Sequence, residues 1–335
     1  MAGEPHVVTG DQLEALSPAG LRAALRRDVV FARTTPVHKL AIVTALQEMG
    51  QVVAAIGDGV NDAPFLRRAD VGVAMGKSGT DVAREAADIV LTDDNFATIV
   101  DAIEEGRAIF ANIRKFVSYV FTSNVAEMAP FAAFVLTGVP LPLKVLQILA
   151  VDLGTDLVPA LGLGAEPPDR GTLDEPPRAR NAPVLNRAVL LRTFLLLGPV
   201  EAALGLAGYF FVYWTSGWRF GDTLTERGDV YVLATTMTFA SIVVGQIGAV
   251  FACRSSRTSI FRLPLASNRL LLAGVAIEVL VLLAVGRVPP FTGTFEFLPL
   301  GWREWLFLLA LLPILPAADE LRKLLVRTAK LRGST

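Results

Sequence analysis

The sequence has 335 residues, 53% hydrophobic and 19% charged, with a net charge of -1 and a mean hydropathy of +0.51. The length allows two domains, and the composition excludes an ordinary soluble enzyme and places much of the chain in lipid. Near-neutral charge argues against a nucleic-acid partner, while a single cysteine, Cys253, excludes an intrachain disulfide framework and leaves the redox compartment open.

The chain begins MAGEPHVVTGDQLEAL, which is polar and has no basic segment leading into an apolar core. It does not read as a cleavable signal peptide, so membrane insertion falls to later segments. Asp28–Ala32 (DVVFA) reads as a strand and Pro36–Gly50 as a helix closed by glycine. VVAAI at 52–56 and VGVAM at 71–75 read as buried strands, and TDVAREAADIVL at 80–91 as a helix leading into a strand. Together they predict a parallel α/β domain over residues 1–110. Ile99–Phe116 is an amphipathic helix predicted to run directly into the first apolar stretch, coupling the two parts of the chain.

Residues 111–335 are predicted to form an all-α transmembrane domain. Six stretches approach the roughly 20 apolar residues a spanning helix needs: Phe116–Thr137, Val145–Leu163, Val189–Trp214, Val230–Ala252, Leu270–Val288 and Trp302–Ala318. The links after the second and fourth stretches and the C-terminal tail carry thirteen Lys and Arg, Arg170 and Arg180 among them. The other links carry five: Lys144, Arg219, Arg227, Arg287 and Arg303. That bias puts the N-terminal domain and the C-terminal tail on the cytoplasmic side. Pro167–Pro183 reads as a cytoplasmic connector, and RKLLVRTAKLR near the end as an interfacial basic helix or a docking face for the cytosolic domain.

Two groups of residues carry chemistry. In GDGVNDAP (57–64), Asp58 follows a strand at its carboxyl end, where parallel sheets gather ligands. Asp58 and Asn61 offer the hard oxygens that Mg²⁺ prefers to share with phosphate, and Asp62 is placed to pair with a lysine; an ordinary Asp/Gly/Asn turn is the alternative. Lys39 opens the preceding helix, where its ammonium can meet a phosphoryl oxygen, and His38 beside it reads as a surface residue. Gly76-Lys77-Ser78 is not a Walker A loop, because Val71 stands where that motif requires glycine.

The second group lies in the apolar stretches, where ionisable residues are costly and functional by default. Asn124 and Glu127 are three apart, and Asp152, Thr155 and Asp156 share a face by three- and four-residue spacing. Five oxygen-bearing side chains on two adjacent helices can hold a hard cation, with Pro130 and Pro159 freeing carbonyls nearby; a structural pair or a cavity lining is the alternative. Glu278 is a lone acid, suited to a proton path, to snorkelling or to a helix–helix hydrogen bond.

FARTTPVHKLAIV, GDGVNDAP, ADVGVAMGKSGTDVAREAADIVLTDDNFATIV, EEGRAIFANIRKF, TSNVAEMAPF and LAVDLGTDLVPAL, in this order and spacing, resemble the P-type cation pumps. The likeness runs from about Val29 onward and is nearest to the P2 group of calcium and sodium/potassium pumps. It implies part of a haloacid-dehalogenase-like, Rossmann-like phosphorylation domain followed by six membrane helices in a multi-pass protein of the cell membrane. It also implies roles: Asp58 as a Mg²⁺ ligand, Asn61 ordering that site, Lys39 on the phosphoryl group and Asp62 holding Lys39, with ATP as substrate of the complete pump. Asn124, Glu127, Asp152, Thr155 and Asp156 match positions that coordinate the transported Ca²⁺, Na⁺ or K⁺. Ser123 precedes Asn124 as in sodium/potassium-type pumps, and Gln246 is a further candidate, although Ala249 replaces an acid often found near it.

The aspartyl nucleophile of these pumps lies in a DKTGT string, which does not occur in these 335 residues, nor do the actuator and nucleotide domains. The resemblance therefore implies the C-terminal portion of a pump, inactive by itself and in need of an N-terminal half. The alternatives are a non-catalytic cation-binding membrane subunit that pairs with such a half, and a membrane-anchored phosphatase of the same superfamily, for which no DxD-type nucleophile is present. Without the nucleophile strand, VVAAI is expected to expose an unpaired apolar edge and the isolated α/β part to behave poorly.

Overall fold

The computed structural model describes residues 6–169, 171–179 and 181–332, with the side chains of 290, 291 and 330–332 left aside. Arg170 and Arg180, and the side chains of Lys330 and Arg332, thus lie outside the described residues. The chain divides into two compact units at Ile103 and Glu104.

The first unit alternates strand and helix: β1 (His6–Thr9), α1 (Gly10–Glu14), α2 (Pro18–Ala24), β2 (Val29–Ala32), α3 (Pro36–Glu48), β3 (Ala54–Gly57), α4 (Ala63–Arg68), β4 (Val71–Met75), α5 (Asp81–Ala86) and β5 (Ile89–Leu91). All strand pairs are parallel, but they form two sheets, β1-β2 and β3-β4-β5. Within the described residues β3 pairs only with β4, so its other edge is free. Strand periodicity sends alternate residues of β4 to opposite faces. Ala74 packs with Val43, Phe65, Leu66 and Ala83, whereas Val73 and Met75 pack with Leu91. Both faces are covered, as a parallel sheet requires.

In the second unit and its approach, α6 is one helix from Ala97 to Thr137. At 1.5 Å per residue it is about 60 Å long, roughly twice the hydrocarbon thickness. It therefore contains both the predicted amphipathic segment and the first predicted span. α7 (Val145–Gly164) and α8 (Arg187–Thr215) are each interrupted by a π-helical turn, at Asp152–Asp156 and Thr193–Leu197. α9 (Asp229–Cys253) is apolar nearly all round and has 94% of its most hydrophobic window inside the protein, as expected of a central helix. It packs along α8 and against α7, and its Met237, Phe239, Ile242 and Val243 share a core with Tyr119, Leu143, Leu197 and Tyr209. α10 (Arg269–Ala284), α11 (Pro289–Thr294), α12 (Trp302–Leu311) and α13 (Ile314–Arg332) complete the chain.

Among the described residues four helices, α6 to α9, are long and apolar enough to cross a membrane. The fifth predicted span is the 16-residue α10, about 24 Å at helical rise and short of a full crossing. The sixth is not one helix: α12 ends at Leu311 and α13 begins at Ile314. Pro313 lies between them, where its missing N–H removes a helical hydrogen bond.

Buried ion pairs tie the helix ends together. Arg254, just past α9, donates to Glu166 Oε1 at 2.9 and 2.6 Å, while Asn268 at the start of α10 donates to Glu166 Oε2 at 2.7 Å. Arg192 of α8 makes a forked contact with Asp319 of α13 at 2.9 and 2.8 Å.

Candidate functional sites

The loop after β3 folds around Asp62. Its Oδ2 accepts the N–H groups of Asp58 and Gly59, both at 3.1 Å, and its Oδ1 accepts Lys39 Nζ at 2.8 Å. Lys39 also lies 4.8 Å from the Phe65 ring centroid. Burial would raise the Asp62 carboxyl, but the bond from Lys39 and the two N–H groups outweigh it and hold the group below its ordinary range. Gly57 is what lets the loop close: a Cβ there would stand 2.6 Å from Asp62 Cβ. The Asp58 carbonyl accepts Thr80 N–H at 2.8 Å. Its carboxylate and the Asn61 amide are exposed and, among the described residues, take no hydrogen bond. Lys39, Asp58, Asn61 and Asp62 are thus brought together, with two hard-oxygen side chains facing outward.

Two neighbours differ in kind. His38 is buried, contrary to the surface position expected from sequence: its Nδ1 accepts Thr35 N–H at 3.3 Å, which leaves Nε2 to donate to Glu14 at 3.0 Å. Such a histidine braces the start of α3 rather than reacting. In the Gly76-Lys77-Ser78 loop, the Lys77 and Ser78 N–H groups donate to Asp94 Oδ1 and Oδ2 at 2.9 and 2.7 Å. These donors, which a Walker A loop would offer to phosphate, are taken by a carboxylate, and they hold Asp94 down to about 2.

The second site lies between α6, α7 and α9. The Gln246 amide donates to Ser123 Oγ at 2.7 Å and to Asp156 Oδ1 at 3.3 Å, and its carbonyl oxygen accepts the Thr155 hydroxyl at 2.9 Å. Ser123 in turn donates to Glu127 Oε1 at 3.1 Å. Gln246, fully buried, therefore connects the two acids through one chain of hydrogen bonds, and Ser123, Glu127, Thr155 and Asp156 are buried with it. A π-helical turn runs from Asp152 to Asp156; Asp156 is buried in the network, while Asp152 is exposed but lies close enough to Glu127 and Asp156 to act on both.

Asn124 is exposed as well; with Glu127, Met128, Phe131 and Ile148 it lines an open recess of about 230 Å³. Of the five residues expected to form one cation site from two helix faces, Glu127, Thr155 and Asp156 are buried, whereas Asn124 and Asp152 are exposed. Among the described residues no three His, Cys, Asp or Glu side chains gather closely enough to hold a metal by themselves. The other side-chain oxygens of the network, from Gln246, Ser123 and Thr155, are neutral.

Glu278 is fully buried and accepts Tyr119 Oη–H at 3.4 Å, a helix–helix contact rather than snorkelling. Sequence reasoning missed Glu201, also fully buried. Its signal was available: it is the only acid inside the third apolar stretch.

A multi-pass membrane protein, with acids buried among its helices and a lysine–aspartate clamp at the end of a parallel sheet, is the class these features define. A family model described as "Cation transporting ATPase, C-terminus" matches residues 140–325, and one described as "haloacid dehalogenase-like hydrolase" matches residues 37–103. The chain is 41% identical over 318 residues to calcium-transporting ATPase 1 of Schizosaccharomyces pombe, covering 95% of the chain and 34% of that protein. It is 38% identical over 336 residues to calcium-transporting ATPase 1 of Yarrowia lipolytica, covering 100% and 35%. With sodium/potassium-transporting ATPase subunit alpha-4 of Rattus norvegicus it shares 34% identity over 348 residues, covering 96% and 34%. The chain belongs to the P-type cation-transporting ATPases. It spans about a third of the length of the curated relatives it matches.

Proposed function

We propose that this chain is the membrane and C-terminal phosphorylation-domain portion of an ATP-driven cation pump, with the transported ion bound at the Gln246-centred network. The observation that carries this reading is the Gln246 bridge: one buried amide tying Glu127 of α6 to Asp156 of α7. Burying two acids among apolar helices without a neutralising Lys or Arg is costly, and a hard cation that takes carboxylate, hydroxyl and amide oxygens offsets that cost. Asn124, at the open recess, and the exposed Asp152, beside Glu127, complete the ligand set from the outer side.

In the α/β unit the donors fit Mg²⁺: an outward carboxylate on Asp58, an outward amide oxygen on Asn61 and room for water and phosphate oxygens. When bound, Mg²⁺ neutralises charge on the transferring phosphoryl group. Asp62 holds Lys39 at the carboxyl end of β3, so the ammonium is oriented before a phosphoryl oxygen arrives, which lowers the cost of reorganisation during transfer. The sequence contains no DKTGT, so the phosphorylated aspartate comes from outside these 335 residues. The free edge of β3 is where its strand would pair.

In this reading the bundle makes six passes, with α10 as the fifth and α12 and the start of α13 as the sixth. The excess of basic residues in two links and the C-terminal tail supports an orientation with the α/β unit and the C-terminus in the cytoplasm of a cell-membrane pump. Ca²⁺ and Na⁺ or K⁺ all suit such oxygens, and the relatives include pumps named for calcium and for sodium/potassium.

The test uses the complete pump, this chain together with the portion that supplies the acceptor aspartate. Phosphoenzyme formation from labelled ATP should depend on one of these cations, and Glu127→Gln and Asp156→Asn should abolish that dependence. Lys39→Ala and Asp58→Ala should reduce phosphorylation itself. Cation dependence unchanged in both membrane variants would refute the reading. The second reading, a cation-binding subunit that pairs with a separate half, is favoured by the free β3 edge. It predicts no phosphoenzyme from this chain alone and co-purification with a partner carrying DKTGT.

A further inference from the structure

Glu201 lies within α8, beyond the π-helical turn at Thr193–Leu197. It is completely buried, and neither carboxyl oxygen has a hydrogen-bond partner among the described residues. The side chain is aimed at α9: a Cβ at Gly245 would stand 2.7 Å from Glu201 Cγ and 3.7 Å from Oε1. The absent side chain at 245 thus makes the space that the carboxyl fills. Gly245 is the residue before Gln246, so the same turn of α9 offers its backbone to Glu201 and its amide to Ser123 and Asp156. Glu201 also stands near enough to Asp156, Glu127 and Glu278 to feel their charge.

A buried carboxyl with no donor is expensive and persists where something outside the protein's own hydrogen bonds compensates it. The buried cation of α8, Arg192, is committed to Asp319 and to the Ala252 carbonyl. Glu278 likewise keeps one oxygen, Oε2, without a partner. Such open acceptors are satisfied either by a proton on the carboxyl or by a cation from solution, and the second is what a cluster of several acids around one buried amide suits.

We propose that Glu201 is a ligand of the transported cation, supplying a carboxylate from α8 to a site whose other acids come from α6 and α7. The ion is of the hard class that takes oxygen ligands, and the inference rests on reading the Gln246 network as the cation site.

The experiment is equilibrium binding of labelled Ca²⁺, Na⁺ and K⁺ to the full chain in detergent micelles, with Tm measured in cation-free buffer. Glu201→Met, similar in length and apolar, and Glu201→Gln, nearly isosteric, are compared with Glu127→Gln. Loss of a supporting residue around a bound metal costs about 10- to 100-fold in affinity, so both Glu201 variants should weaken binding by about tenfold or more. Glu201→Met should keep or raise Tm, because it removes an unpaired buried acid. If both Glu201 variants bind as wild type does while Glu127→Gln fails, Glu201 is not a ligand and the Gln246-centred reading stands. If Glu127→Gln also binds normally, or the wild type binds none of the three ions, that reading falls and the inference with it. A lowered Tm with intact affinity, or loss of the fold in both variants, assigns Glu201 to packing against Gly245 and overturns the proposal.

Discussion

Replacing Gly57 by alanine tests how the loop from Asp58 to Asp62 is held. The new Cβ would lie 2.6 Å from Asp62 Cβ and 2.9 Å from both Cγ and Oδ2. Asp62 has little freedom to withdraw, because its carboxylate accepts from Lys39, Asp58 and Gly59 at once. Relief therefore requires the loop to open and some of these bonds to break. Overpacking costs about 1–3 kcal/mol, and each lost hydrogen bond to a charged group about 1.5–3 kcal/mol. Lys39 is 40% exposed at its side chain and is partly repaid by water, so the net cost should be about 3–4 kcal/mol.

Gly59→Ala is the control. Its nearest neighbour is Asp62 Oδ2 at 3.6 Å, an ordinary contact, and its φ of -100° suits any residue. Hydrogen exchange on the full chain, read by mass spectrometry on the peptide covering 54–66, gives the answer. Gly57→Ala should lose protection at Asp58 and Gly59 by about two orders of magnitude or more, and Gly59→Ala should stay close to wild type at Asp58. Equal protection in Gly57→Ala and wild type would show that the tight Gly57–Asp62 approach does not govern the loop.

Three further outcomes follow from the geometry. Arg254→Met should destabilise the membrane unit by about 3 kcal/mol, the low end for stranding a buried charge, since Asn268 still donates to Glu166. Adding Glu166→Gln should recover part of the lost Tm, and a double variant no more stable than the single one would refute the pairing. Asp94 is held to about 2 in the folded chain, below the ordinary value, so its contribution is complete above pH 4 and is lost as pH falls through about 2. Carboxyl NMR of labelled aspartate should show that midpoint, and Ser78→Pro, which removes one N–H donor, should raise it. Gln246→Leu should remove the donor to Asp156 and to Ser123 together, weakening cation affinity by about tenfold or more. Unchanged binding of labelled cation would show that the bridge is incidental.

How much of this was legible in the sequence varies from site to site. The clamp between Lys39 and Asp62 was legible through the resemblance to the P-type pumps; the residues alone offered Asp62 a lysine without saying which. VGVAM was recognisable as β4, since five apolar residues between turn signals leave few alternatives. The burial of His38 was not legible, because it depends on Glu14 of α1 reaching the ring across the fold. The split of the last predicted span carried a visible signal in its short, proline-bearing sequence, with Pro313 at the break.

For the membrane part, apolar length determined that α6 to α9 exist and the motif order determined the family. Both properties are written locally, residue after residue. The rotation of each helix about its axis is not local: it is set by which neighbours it packs against. Only the packed bundle could put Gln246 at the centre of the network, move Asn124 to its border and bury Glu201 against Gly245. Spacing along one helix says which residues share a face, and contact with other helices decides where that face points.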